Sequence, residues 1–181
     1  RERGNRLLDK NGVNGLLNLL DNLRRTAALV RDRLSEDAWQ ILDMPHRIAA
    51  RYASLAPLGG DNALEFLNEL VRLLAAFNGM QMENMARSVG CRLLDVGRRI
   101  ERSGHTAKLI RELAVGGDAA GDGGLELLLE LGDSSMTYRT RYLTTPQFAP
   151  VLDLLLCDET NPRSLIFQAN VLSEHIAVLP R

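Results

Sequence analysis

The chain has 181 residues, 45% hydrophobic and 25% charged, which is enough apolar material for one domain with its own core and too much for intrinsic disorder. A net charge of −1 and only 4% aromatic residues supply neither a basic field nor stacking platforms, which argues against nucleic-acid binding. The longest unbroken apolar run, Leu73 to Phe77, is far shorter than the roughly 20 residues of a membrane-spanning helix, so a soluble protein is expected.

Apolar residues recur at spacings of three and four, with no alternating β-branched runs and no hairpin turns, which predicts an all-α fold. The first helix is expected over 13–34, with Leu16, Leu20, Leu23, Ala27 and Val30 on one stripe. Ser35, followed by Glu36 and Asp37, reads as the N-cap of the helix holding Trp39 and Ile41, which Pro45 should kink or restart. Leu58-Gly59-Gly60 breaks the pattern. Asn62 with Glu65 then reads as a capping-box-like start for a long helix through Leu67, Leu70, Leu74 and Met85, interrupted at Gly90. Another helix is expected from Cys91 to Ala114, and the glycine-rich stretch 116–124 reads as a flexible loop joining helices. Helices over 125–143 and 148–157 follow, and a last one that Asn161 would cap with Pro162 at its first position. About seven helices in one domain over 1–181 suit an antiparallel bundle.

Cys91 and Cys157 fall inside apolar helical patterns and read as buried thiols of a reducing compartment, the cytoplasm by default. Of 22 basic residues only Lys10 and Lys108 are lysine, which fits either bidentate anion recognition by arginine or genomic base composition. Leu7-Leu8-Asp9-Lys10 leading into Leu16 and Leu17 echoes Leu156-Cys157-Asp158-Glu159 leading into Leu165 and Ile166 at one constant offset, with Leu20 meeting Ala169 and Leu23 meeting Leu172. If real, the echo makes the chain the second of two repeat units preceded by the last helix of the first. The first residue, Arg1, agrees with an N-terminal truncation.

The densest chemistry lies in Gly97-Arg98-Arg99-Ile100-Glu101-Arg102-Ser103-Gly104-His105-Thr106-Ala107. On a helix Leu93, Gly97, Ile100, Gly104 and Ala107 share a face, and its small residues would admit a closely packed neighbour. Glu101 borders that face with Arg98 a turn before and His105 a turn after. Two readings stand: a buried ion pair of Glu101 with Arg98 and another arginine that fixes helix register, or an anion or peptide-carboxylate site in which Arg98 or Arg102 supplies the fork and Glu101 orients it. Glu101 and His105 alone are too few ligands for a metal. Tyr138-Arg139-Thr140-Arg141-Tyr142 could add hydroxyls and guanidinium groups to the same pocket or be ordinary amphipathic side chains at a bundle edge, and Arg163 is a further candidate ligand. Met80, Met82 and Met85 read as core filling. His46 and His175 have no local partners, and no nucleophile elbow, phosphate loop or paired-cysteine motif is present.

Gly97 to Arg102 with Thr106-Ala107, then Tyr138 to Tyr142, then Leu154 to Asp158 with Asn161-Pro162-Arg163-Ser164-Leu165, together with Val30 to Trp39, resemble in order and spacing the bacterial Alpha-E family. That family is all-helical with a glutamate-arginine motif, here Glu101-Arg102. Its members carry an earlier such motif in a preceding repeat, which would lie before this chain. They also have an asparagine-proline turn where Gly12-Val13 stands and an alanine-arginine-glutamate-asparagine run where Leu23-Arg24-Arg25-Thr26 stands, which removes support for a ligand role in that repeat. The family is encoded beside, or fused behind, a circularly permuted ATP-grasp protein and often a transglutaminase-like peptidase. The resemblance therefore implies a helical accessory module, without a cofactor, for synthesis, tagging or processing of a small peptide. Its contact residues would be Arg98, Glu101, Arg102, His105, Tyr138, Arg139, Arg141, Asn161 and Arg163. A peptide ligase or transferase in its own right, and a pure assembly scaffold, are the alternatives.

Overall fold

The computed structural model describes residues 15–53, 60–115 and 123–180. These residues are all-α as expected, with no strand among them, and divide into two compact units, one ending at Met85 and one beginning at Ala86. Leu7-Leu8-Asp9-Lys10 of the internal echo, and 116–122 of the expected loop, lie outside the described residues. No helix among the described residues is long and apolar enough to cross a membrane.

In the first unit α1 spans Leu16–Leu29, α2 Glu36–Ala53 and α3 Gly60–Asn84. The helix expected to reach residue 34 ends earlier: Val30 leaves helical geometry, and a 3₁₀ turn at Arg31–Arg33 carries the chain to Ser35. Val30 is exposed, so the buried stripe of α1 is Leu17, Leu20 and Ala27. Ser35 caps α2 as expected, its Oγ accepting the Ala38 N–H at 3.2 Å. Pro45 does not restart that helix, which runs on to Ala53. A proline removes one intrahelical bond, and buried Ala38, Leu42, Ala49 and Tyr52 hold the helix on both sides of it. The core joins Leu17, Leu20, Ala49, Tyr52, Ala63, Phe66 and Leu70, with the Tyr52 and Phe66 rings 5.1 Å apart. Asp43, buried on α2, accepts from Arg24 Nε and Arg47 Nε at 2.7 Å each. Asn62 lies inside α3 rather than capping it. Met82 is 52% exposed rather than core, because the apolar stripe of Ala63, Phe66 and Leu70 ends well before it.

In the second unit α4 spans Val89–Leu109 and continues into a π turn at Ile110–Val115, followed by α5 at Gly124–Leu131, α6 at Ser135–Tyr142, α7 at Phe148–Leu156 and α8 at Leu165–Ala177. The break before α4 falls at 85–88 rather than at Gly90, because Ser88 is the N-cap. Ile110, Ala114, Leu128, Leu129, Tyr138, Val151, Leu154 and Leu155 form the core. Cys91 is buried, whereas Cys157, expected inside, is exposed just past α7 and off the stripe of Val151, Leu154 and Leu155.

The helix expected over 125–143 is two helices. Asp133 takes the left-handed region at φ 48°, its N–H bonds to the Glu130 carbonyl at 3.0 Å, and the Ser134 N–H reaches the Leu129 carbonyl at 2.9 Å. This is a Schellman ending with aspartate where glycine is usual. Gly132 precedes it at a point too crowded for a side chain: an added Cβ would meet the Leu128 carbonyl oxygen at 2.9 Å and Leu155 Cδ2 at 3.3 Å. Asn161 does not cap α8; Ser164 does, accepting the Phe167 N–H at 3.1 Å and donating to the Asp158 carbonyl at 2.6 Å. Asn161 instead joins two turns. Its Nδ2 donates to Ser134 Oγ at 3.2 Å and to the Leu154 carbonyl at 3.0 Å, while its Oδ1 accepts the Arg163 N–H at 3.1 Å. Gly132→Ala should therefore cost about 1–3 kcal/mol, the range for overpacking a closed site, read as a lowered urea midpoint with an unchanged slope.

Candidate functional site

One face of α4 is committed to α8. Asp95 accepts from Arg98 Nη1 at Oδ1 and from Arg99 Nε at Oδ2, 3.1 Å each, and His175 Nε2 of α8 stands 2.8 Å from the same Oδ2. Arg99 also donates to fully buried Gln168 at 3.2 Å and lies 5.6 Å over the Phe167 ring. Burial alone would raise the Asp95 carboxyl, but the hydrogen bonds from His175 and Arg99 and the charges of Arg99 and Arg98 outweigh it and hold its pKa below the ordinary aspartate value. The register-fixing ion pair expected of Glu101 is thus made by Asp95, and Arg98 belongs to it. His46 has a distant partner too, with Nδ1 2.8 Å from Asp21 Oδ1 in the first unit.

Among the described residues the opposite face of α4 is uncovered. Leu93 and Ile100 are 52% and 56% exposed, and among the described residues nothing lies within 4 Å of a Cβ built at Gly97 or Gly104. Among the described residues the close-packed seam expected there is not formed, because the Asp95 and Arg99 side is the one that meets α8.

Between these faces lies a cleft of about 310 Å³ lined by Glu101, Arg102, His105 and Thr106 of α4, by Leu131, Gly132 and Asp133 after α5, and by Arg163 before α8. The Schellman turn aims Asp133 at Arg163, and the two form an ion pair. Thr106 Oγ1 donates to the Arg163 carbonyl at 3.4 Å. Arg102 is half-buried and has no hydrogen bond or ion pair among the described residues. Burial first, then the positive charges of Arg163, Arg99 and Arg98, lower its pKa from the ordinary arginine value. Glu101 and His105 are exposed at the rim, likewise unpaired among the described residues. Among those residues no three His, Cys, Asp or Glu side chains gather as a metal site.

The other sequence candidates lie elsewhere. Tyr138 is fully buried, its hydroxyl accepting the Gln147 N–H at 3.0 Å and donating to the Thr145 carbonyl at 3.3 Å. With Arg139 it lines a separate cleft of about 720 Å³ that also holds Glu126 and Glu130. Arg141 is spent on Asp158 and on Thr160 Oγ1, the latter at 3.0 Å. Asn161 is the buried staple described above. Asp133, which sequence reasoning missed, completes the cleft; the only local signal was the Gly-Asp-Ser triplet at 132–134.

The sequence profile of a family described as a predicted alpha-helical domain with a conserved ER motif, Alpha-E, matches residues 4–181. Within that span Glu101-Arg102 is the one Glu-Arg pair. The chain belongs to the Alpha-E family. This Alpha-E domain is 30% identical over 186 residues to uncharacterised proteins of Mycobacterium bovis and Mycobacterium tuberculosis, with 96% of the chain aligned. It spans about a fifth of the length of those relatives, 20% in each case. No solved structure matches.

The linkage of Asp95 to pH has a definite sign. A carboxyl whose folded pKa lies below its ordinary value contributes stability that is present above that value and lost as pH falls through the folded pKa. Asp158 acts the same way: burial raises it, and Thr160 and Arg141 more than compensate. Asp95→Asn in this Alpha-E domain should cost about 1–3 kcal/mol at pH 7 and flatten the loss of stability below about pH 4, as measured by urea melts across the acid range.

Proposed function

We propose that the domain is a non-catalytic binding module that acts with an ATP-grasp peptide ligase in synthesis, tagging or processing of a small peptide, and that the Glu101-Arg102 cleft is its contact. The observation that supports it most is Arg102: a half-buried guanidinium among three other arginines, with no anion paired to it among the described residues. Such a charge is costly to hold without a counter-ion, and the fork it presents suits a carboxylate or phosphate from outside. The groups around it, a carboxylate, an imidazole, a hydroxyl and a second guanidinium clamped by Asp133, hold and orient a ligand by charge and hydrogen bonding. The partner is read from the family's setting, and a transglutaminase-like peptidase is a further partner on the same ground.

Calorimetric titration of the chain into the ATP-grasp protein, with and without ATP, tests this. Saturable binding is expected, weakened about tenfold or more by Arg102→Ala, which removes one charged contact. Because Arg102 pairs with no carboxylate among the described residues, the variant should melt like the parent. Absence of binding to a folded, active partner overturns the proposal. A scaffold reading is favoured by the open apolar face of α4; binding that survives Arg102→Ala and is lost in Ile100→Asp would select it.

A further inference from the structure

We infer, on the reading of the cleft as a binding site given above, that its ligand is the C-terminal end of a peptide, with Arg102 taking the terminal carboxylate and Glu101 accepting the N–H of the same residue. Three ionisable side chains from neighbouring turns of α4, Glu101, Arg102 and His105, line the cleft without a hydrogen bond or ion pair among the described residues. Every other arginine around them is committed: Arg98 and Arg99 to Asp95, Arg163 to Asp133. The free guanidinium presents parallel N–H groups that match two coplanar oxygens.

The charge balance selects the class of anion. Glu101 and Asp133 line the same cleft as Arg102 and Arg163, so two carboxylates offset two guanidinium groups. A doubly charged phosphate would meet both carboxylates, whereas a singly charged carboxylate is matched by Arg102 alone. Glu101, exposed at the rim, is not paired with Arg102 here, since consecutive helical residues point about 100° apart, and it is open to accept an N–H from a ligand. A peptide C-terminus carries what the two lack: a carboxylate and an amide N–H on one Cα. A cleft of about 310 Å³ stands at the small end of ligand sites and suits one or two residues.

The test is an NMR titration of the 181-residue chain with trialanine, with trialanine amide and with inorganic phosphate at matched ionic strength, following the backbone amides of Glu101, Arg102 and His105 into the millimolar range. Trialanine is expected to bind saturably, its amide about tenfold or more weaker for loss of the charged oxygen pair, and phosphate more weakly than the free acid. Arg102→Gln should lose the trialanine response, and Arg102→Lys, which keeps the charge but not the fork, should recover only part of it. Equal binding of acid and amide, no shift at these amides with trialanine, tighter binding of phosphate, or an Arg102→Gln response equal to the parent would each overturn the inference. The acid-to-amide comparison uses the unaltered chain and so does not depend on any variant folding. If trialanine fails while the ATP-grasp titration still shows Arg102-dependent binding, the peptide terminus is wrong and the binding-module reading stands.

Discussion

The cleft exists because one buried amide ties two turns together. Asn161, 2% exposed, reaches Ser134 and the Leu154 carbonyl with Nδ2 and the Arg163 N–H with Oδ1. Turns buried against a core must have their polar backbone groups satisfied, or each orphan costs its desolvation. An apolar residue at 161 could fill the space and satisfy none of them. The same three bonds fix the distance between the turn that carries Asp133 and the turn that carries Arg163. The ion pair that borders the cleft therefore follows from a packing requirement, and α4 needs only to lie alongside it.

What places α4 there is an electrostatic lock of a different kind. Asp95 collects Arg98, Arg99 and His175, so one half-buried carboxylate joins two helices and consumes the positive charge on their shared side. Arg141 is consumed by Asp158 and Arg163 by Asp133. Each pair is unremarkable alone, since partly exposed ion pairs contribute little to stability. Their joint effect is one of allocation: Asp95, Asp133 and Asp158 are taken up by other arginines, and among the described residues Arg102 is left without a paired carboxylate where it lines a cleft.

How much of this the sequence disclosed depends on the range of the interaction that decides it. Helical periodicity and the Ser35 cap are local, and both are as read from the chain. The break at Gly132 was missed because its left-handed residue is Asp133, so the usual glycine signal is displaced by one position. Asn161 was read as a cap because Asn-Pro is a good local cap sequence, while the bonds that occupy it come from residues 27 and 7 positions away. The face of α4 was assigned in reverse for the same reason. Small and apolar residues at Gly97, Ile100 and Gly104 suggested packing, yet the pull of Asp95 on His175, 80 positions away, turns the polar side inward. The cleft residues Glu101, Arg102, His105 and Arg163 were legible as types, and their separation from Tyr138 and Arg141 was not, because it rests on backbone partners of Tyr138 and a carboxylate partner of Arg141 that no spacing reveals.

An adjacent glutamate and arginine on a helix are a poor salt bridge, since residues one apart face about 100° away from each other. Here that geometry divides the pair across an edge, with Glu101 exposed at the rim and Arg102 half-buried beneath it. If the two charges served only the fold, each would be expected to find a partner on another element, as Asp95 does in His175 and Asp158 in Arg141. Neither has one among the described residues, although carboxylates and guanidinium groups stand close by and are taken up by one another. A donor and an acceptor that line one cavity and do not pair with each other are complementary to a molecule that carries both groups in the opposite sense. The helix favours that arrangement by turning consecutive side chains apart, and it gives a physical reason for a two-residue motif whose members do not pair.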